Sequence, residues 1–305
     1  MTYHLFIMDR AYSSWSLRGY LLLEAFGIPH EATQANWPGP DFDAMMAPLA
    51  PARTVPTLRI GDAADGFFLW DSLAIAETLA ERHPDAGHWP AAPAARAAAR
   101  ALVAEMHSGF MALRQHCPMN LKAVYEGFEA PADVLRDVER VQRLWAWARS
   151  TYGGDGPYLF GERFTVADAF YLPVASRLAS FGLPRSAEDD AYIEDLHRLP
   201  AFRRWRAMAH ANDHVVAEDV ADLPVTGAFG PGVAPLPARA VADVKSVNDA
   251  CPYSGRPVAP DSLAEIDGVV IGYCNPLCRD KSVADAGAWP ATMAMLDEAK
   301  AQSAR

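Results

Sequence analysis

The chain changes rhythm partway along. Up to Arg82, short apolar runs bounded by turn residues alternate with helix-like stretches; after Pro93 only helical spacing remains. Tyr3 to Met8 reads as a buried opening strand, Leu17–Phe26 as a helix stopped by Gly27 and Pro29, and His30 to Trp37 as a second strand. The β-branched alternation of Thr54–Ile60 predicts a third strand with Gly61-Asp62 as its turn. Phe67–Trp70 predicts a fourth, ahead of the helical run Leu73–Arg82. Strand, helix, three strands and a helix in that order predict a compact α/β domain. Beyond it, Leu102, Met106, Phe110 and Leu113 share one helical stripe, and Val134, Val138, Val141 and Trp145 share another, so an all-α domain follows. Thr165 and Asp168 have capping-box spacing, and Pro200 with Phe202, Trp205 and Met208 predicts one more short helix. Pro224, Gly227, Gly230, Pro231, Gly232, Pro235 and Pro237 then mark a linker. The predicted organisation is an α/β domain over 1–84, an all-α domain over 92–220, a linker over 221–245 and a small Cys-containing α+β tail over 246–305. The tail combines a turn-rich Cys251–Gly268, a strand-like Val269–Tyr273 and a helix over Ala288–Ala299.

Charge narrows the partners. Across 305 residues, 27 Lys and Arg stand against 38 Asp and Glu, a formal charge of −11. Such a surface is repelled by nucleic-acid phosphates and anionic membranes unless a basic patch intervenes. The densest basic group, Arg198, Arg203, Arg204 and Arg206, lies in a mixed segment, so neither partner is expected. The opening apolar run, Leu5 to Met8, is too short for a signal peptide or a membrane span, which predicts a cytoplasmic protein with reduced thiols. Of the four cysteines, Cys117 is isolated beside His116, a pairing that invites a nucleophile reading, but adjacent side chains seldom meet and it reads as a partly buried structural thiol. The other three, Cys251, Cys274 and Cys278, all lie beyond residue 250.

The polar turn Ala11 to Ser16, between the first strand and the first helix, is a place for chemistry. Helix N-terminal amides point outward there and favour an anion. A hydroxyl of Ser13 or Ser14 donated to a thiolate is worth about 1.5–3 kcal/mol, enough to lower a thiol pKa by roughly one to two units. Equally, one of these serines is placed to cap the helix.

Ser13-Ser14-Trp15-Ser16-Leu17-Arg18, continued by Leu21 to Glu31, resembles the opening of glutathione S-transferases, above all the serine-type bacterial and zeta-like members. Thr54-Val55-Pro56-Thr57-Leu58 is similar to their strand start, where the proline is cis and the preceding backbone binds glutathione. Asp71-Ser72 is similar to the acidic-serine pair that holds the γ-glutamyl amine and carboxylate. Thr165 with Asp168 is similar to the buried capping box of the family's helical domain. The resemblance spans about residues 1–220 and implies a thioredoxin-like first domain, a helical transferase domain and a homodimer. It also implies glutathione as co-substrate for a small electrophile. In site residues it implies Ser13 as thiol partner with Ser14 second, Val55 and Pro56 along the cysteinyl backbone, Asp71 on the ammonium, and Ser72 capping the helix from Leu73 against the carboxylate. Two positions depart from the pattern. Trp15 stands where zeta enzymes have cysteine, which speaks against maleylacetoacetate isomerase activity. Thr54, with Arg53 beside it, replaces the usual Gln or Lys. Met106 and Phe110 are placed either for the co-substrate pocket or for plain core.

The tail reads Cys251-x22-Cys274-x3-Cys278, a grouping that suits a thiophilic ion such as zinc. Cys251-Pro252-Tyr253-Ser254-Gly255 and Gly272 to Cys278 resemble the YHS/TRASH type of small metal-binding module, with Ser254 in the second cysteine's place. A fourth ligand is then lost or replaced, with Asp249, Asp280, a water or a ligand from elsewhere as candidates. A metal-free relic and a redox dithiol are the competing readings. Two functions follow: a glutathione transferase using a serine hydroxyl, or a metal-binding or metal-sensing protein on a transferase-like scaffold.

Overall fold

A computed structural model describes residues 2–62, 65–230 and 232–303; Pro231 of the expected linker lies outside the described residues. The chain divides into two compact units, residues 1–197 with 214–229, and residues 198–213 with 230–305.

In the first unit, β1 (Tyr3–Ile7), β2 (Glu31–Gln34), β3 (Thr57–Ile60) and β4 (Phe67–Trp70) form one sheet in the order β2-β1-β3-β4. β1 runs parallel to β2 and antiparallel to β3, so Leu5 faces Ala32 on one side and Leu58 on the other. Its central place explains an apolar run rather than an alternation, since Leu5 and Ile7 on one face and Phe6 on the other are all buried. β3 is shorter than expected because Pro56 has no N–H to give to a ladder, and pairing starts at Thr57 opposite Trp70. Helices α1 (Ser14–Glu24) and α3 (Ser72–Arg82) pack together, and α2 (Pro40–Met46) is a short helix that the sequence reading did not anticipate.

The helices that follow are α4 (Pro93–Ser108), α5 (Met111–His116), α6 (Ala132–Ala148), α7 (Val166–Ser180) and α8 (Ala187–Arg198). α7 is buried along nearly its whole length. The Thr165–Asp168 capping box forms, and the buried Asp168 carboxylate also accepts from the Leu159 amide and the Tyr192 hydroxyl. Residues 214–229 return across this unit. There β6 (Val225–Gly227) pairs antiparallel with β5 (Val124–Tyr125), and Phe229 is buried against His197.

The second unit contains α9 (Pro200–His210) and the tail. β7 (Ala238–Val241), β8 (Leu263–Ile266) and β9 (Val269–Gly272) form an antiparallel meander. The Asp267-Gly268 hairpin turn has positive φ at both residues, as a two-residue turn of this twist requires. Helices α10 (Pro276–Ala284) and α11 (Pro290–Ser303) complete it around a core of Cys251, Ile266, Ile271, Tyr273 and Leu296. The expected linker therefore contributes β6 and β7. α10 packs on α9, where Arg203 grips the buried Asp285 carboxylate with bonds of 2.7 and 3.0 Å. Among the described residues no helix is long and apolar enough to cross a membrane.

Candidate functional site

The serines at the start of α1 are differently engaged. Ser13 is the N-cap: its Oγ accepts from the Ser16 amide at 3.1 Å and donates to the Ser16 Oγ at 2.8 Å. Ser16 in turn accepts from the Met8 amide, tying the helix start to the end of β1. The Ser14 Oγ instead accepts from Arg177 Nη2 at 3.3 Å, which leaves its own proton to give away.

Cations collect around this turn. Arg177, on α7, also donates to the carbonyls of Cys117 and Pro173. Burial, and then Arg114, lower its pKa to about 10. Arg18, fully buried, donates to the Met106 sulfur at 3.1 Å, while its Nε and Nη1 have no partner. The Trp15 ring lies between the guanidiniums of Arg18 at 4.4 Å and Arg114 at 4.6 Å, with the His107 ring edge-on at 5.3 Å. Met106 is thus core, packed against Arg18 rather than lining an open pocket. The sequence reading missed Arg114, Arg177 and His107. An arginine within the mostly apolar 169–180 stretch was the available signal for Arg177.

Asp71, and not Ser72, caps α3; its Oδ1 accepts from the amides of Leu73 at 2.8 Å and Ala74 at 3.3 Å. The reason is its backbone. With φ at +75°, Asp71 turns its carboxylate over the helix end, and Ser72 becomes the first residue of the helix. Asp71 Oδ2 pairs with His107 Nε2 at 3.1 Å, so His107 links this carboxylate to Trp15 and the start of α1. Ser72 is fully buried, and among the described residues its hydroxyl has no hydrogen-bond partner. The Val55–Pro56 peptide is cis, just ahead of β3. Pro56 packs against Gly19 of α1, where a Cβ would come within 2.5 Å of the proline ring. Ser14, Pro56 and Asp71 are therefore all linked to α1, directly or through His107.

The returning segment passes over the same loop. The His214 ring nitrogen is 3.0 Å from the Trp37 carbonyl, Val216 is fully buried, and the Tyr125 hydroxyl accepts from the Ala221 amide. Burial raises the half-buried Asp219 carboxyl to about 6, against the pull of Arg177. Cys117, buried in this unit, is pushed up to about 12 by burial, as a structural thiol should be. A groove of about 990 Å³ lies elsewhere, between Glu77, Trp89, Arg96 and Tyr152, and touches none of the expected site residues.

In the tail the three thiols converge, with Cys251, Cys274 and Cys278 sulfurs all within 4.8 Å of one another. Burial raises the Cys251 thiol, but the amides of Tyr253, Cys274 and Ser254 and the Ser254 hydroxyl outweigh it and bring it down to about 7. Burial pushes Cys278 up to about 11, opposed by Lys281. Among the described residues, neither Asp249 nor Asp280 joins the cluster, and Asp280 is bound by Arg279 at 2.6 Å.

A thioredoxin-like sheet with cis Pro56 at its third strand, followed by a helical bundle, defines the two-domain class of glutathione transferases. Family models for the glutathione S-transferase N-terminal domain and C-terminal domain match residues 12–82 and 91–207, so the chain belongs to the glutathione S-transferase family, as an enzyme of that type. A probable maleylacetoacetate isomerase of Caenorhabditis elegans is 28% identical over 199 residues, covering 63% of this chain and 87% of that protein. A glutathione transferase homologue from Burkholderia, solved with bound glutathione, has a TM-score of 0.52 at 22% identity over 70% of this chain and 100% of the other. The Omega 3C glutathione transferase of Trametes versicolor gives 0.52 at 18% identity, covering 68% and 88%. At those identities the likeness is one of fold.

Proposed function

We propose that this enzyme activates the thiol of glutathione and transfers the sulfur to a small electrophile, with Ser14 as the hydroxyl that stabilises the thiolate. The observation that carries this is the Ser14 Oγ accepting from buried Arg177, which leaves the Ser14 O–H available to donate beside a positively charged turn. The family match and the glutathione-bound Burkholderia homologue support glutathione as co-substrate. The thiol proton leaves to solvent, the sulfur lone pair forms the carbon–sulfur bond, and the leaving group departs with the electron pair it shared with carbon. Asp71, with 46% of its side chain exposed, offers its carboxylate to the ligand ammonium, and the unpartnered Ser72 hydroxyl suits a carboxylate oxygen. Val55 supplies backbone pairing ahead of β3. Trp15 in place of the zeta cysteine favours conjugation over the isomerisation named for the relative.

Loss of one charge-assisted hydrogen bond predicts that Ser14→Ala lowers kcat/KM for conjugation by about 10- to 100-fold. Ser13→Ala should mainly cost about 1 kcal/mol of stability through the lost cap. Steady-state kinetics and melting of both variants check this; the reverse pattern would return the thiol role to Ser13.

A second reading rests on the clustered sulfurs of Cys251, Cys274 and Cys278: the tail is a metal-binding module of the type its sequence resembles. The donor set fits a thiophilic ion, and these three residues would hold it. Metal analysis of the purified full chain tests it.

A further inference from the structure

Resting on the conjugation reading of the first unit, we infer that the electrophile carries a negative charge of its own, and that Arg114, lying over the Trp15 ring, is the specificity-determining residue that receives it. The balance of charge carries the inference. Arg18, Arg114 and Arg177 come to the Ser14–Trp15 turn from α1, α5 and α7. Among the described residues, none of the three is hydrogen-bonded to or ion-paired with a carboxylate. Their partners are carbonyls, the Ser14 hydroxyl and the Met106 sulfur. Asp71 acts on Arg18 only through space and is engaged in capping α3, while Asp219 is a longer-range counter-charge for Arg177. Cations withdrawn from water without a counter-charge favour a ligand that brings one.

Arg114 has the most left to give. One of its five N–H groups is engaged, by a long 3.4 Å bond from Nη1 to the His107 carbonyl. Arg18 and Arg177 are buried, whereas Arg114 is half-buried, so Arg114 is the cation that a ligand can reach. Its place follows from the backbone. Phe110 has φ at +57°, a conformation that large side chains rarely adopt, and there α4 gives way to α5. One turn further on, Arg114 lies 4.6 Å above the Trp15 ring. A guanidinium held on an aromatic face keeps a fork of N–H groups that matches the paired oxygens of a carboxylate.

The test compares kcat/KM for a chlorodinitrobenzoate and the matching chlorodinitrobenzamide, each divided by its rate with free glutathione. In both, the glutathione sulfur bonds to the ring carbon and chloride leaves with the bonding pair, so the two differ in charge alone. Wild type is expected to favour the benzoate by about tenfold, and Arg114→Gln to bring the ratio near one, with folding checked by circular dichroism. Arg114→Lys, which keeps the charge but not the fork, should fall between them. A preference that survives Arg114→Gln would overturn the assignment. So would a variant that loses glutathione affinity in a titration without electrophile and keeps the ratio, since Arg114 would then hold a glutathione carboxylate. Conjugation by wild type with no preference for the benzoate would overturn the inference, whether or not the variants fold, and leave the conjugation reading standing. Failure to conjugate either compound would overturn both.

Discussion

Buried arginines usually meet carboxylates, yet Arg177 spends its guanidinium on two carbonyls and the Ser14 hydroxyl. That arrangement leaves the guanidinium hydrogen-bonded only to neutral groups, with Asp219 as a longer-range counter-charge, so a thiolate at the α1 turn gains from it. Asp219 belongs to the same neighbourhood and supplies a pH signature. Burial raises its carboxyl to about 6, above an unfolded value of about 3.9. Between those values the native state binds more protons than the unfolded chain, so stability falls as pH rises from about 4 to about 6. Asp219→Asn should flatten that part of the profile, which melting temperatures across the window would reveal. An unchanged slope would mean the carboxyl titrates normally.

At the scale of elements, the capping of α3 separates two roles of one side chain. Asp71→Ala removes both amide contacts and the His107 pair, and should cost about 1 kcal/mol of stability. Asp71→Asn keeps an acceptor for the cap but not the charge, so it should spare the melting temperature while weakening glutathione binding in a titration. The sequence made α3 legible but misplaced its cap, because the positive φ that turns Asp71 over the helix end leaves no trace in spacing. β4 and the capping box of α7 were legible because local pattern decides them. The cationic setting of Trp15 was not, because His107 and Arg114 lie more than ninety residues further along the chain, on α4 and α5. The Pro/Gly run read as a linker hides β6 and β7, whose partners lie about a hundred and about 25 residues away. In the second unit, Arg203 and Asp285 form a buried pair, with Asp285 only 1% exposed. Arg203→Ala removes both hydrogen bonds to that carboxylate, leaves Arg206 as its neighbouring cation, and should destabilise this unit by about 1–3 kcal/mol in a denaturant melt.

At the scale of the whole molecule, the family match ends at residue 207, within α9, and α9 packs with the tail in the second unit. Within this unit α9 packs on α10 and on the Ala288–Trp289 segment, while the sheet and the thiol cluster share a separate core. Glutathione chemistry belongs to the first unit and the clustered sulfurs to the second, so the two proposals fail or stand independently. Dimerisation remains a proposal from the family resemblance, to be read from the mass in solution. The most direct measurement of the central claim is the ultraviolet thiolate absorbance of enzyme-bound glutathione against pH, in wild type and Ser14→Ala. Wild type should titrate roughly one to two units below the free thiol, and the variant should return toward the free value. Bound glutathione titrating like the free thiol in wild type, or no binding at all, would contradict the account.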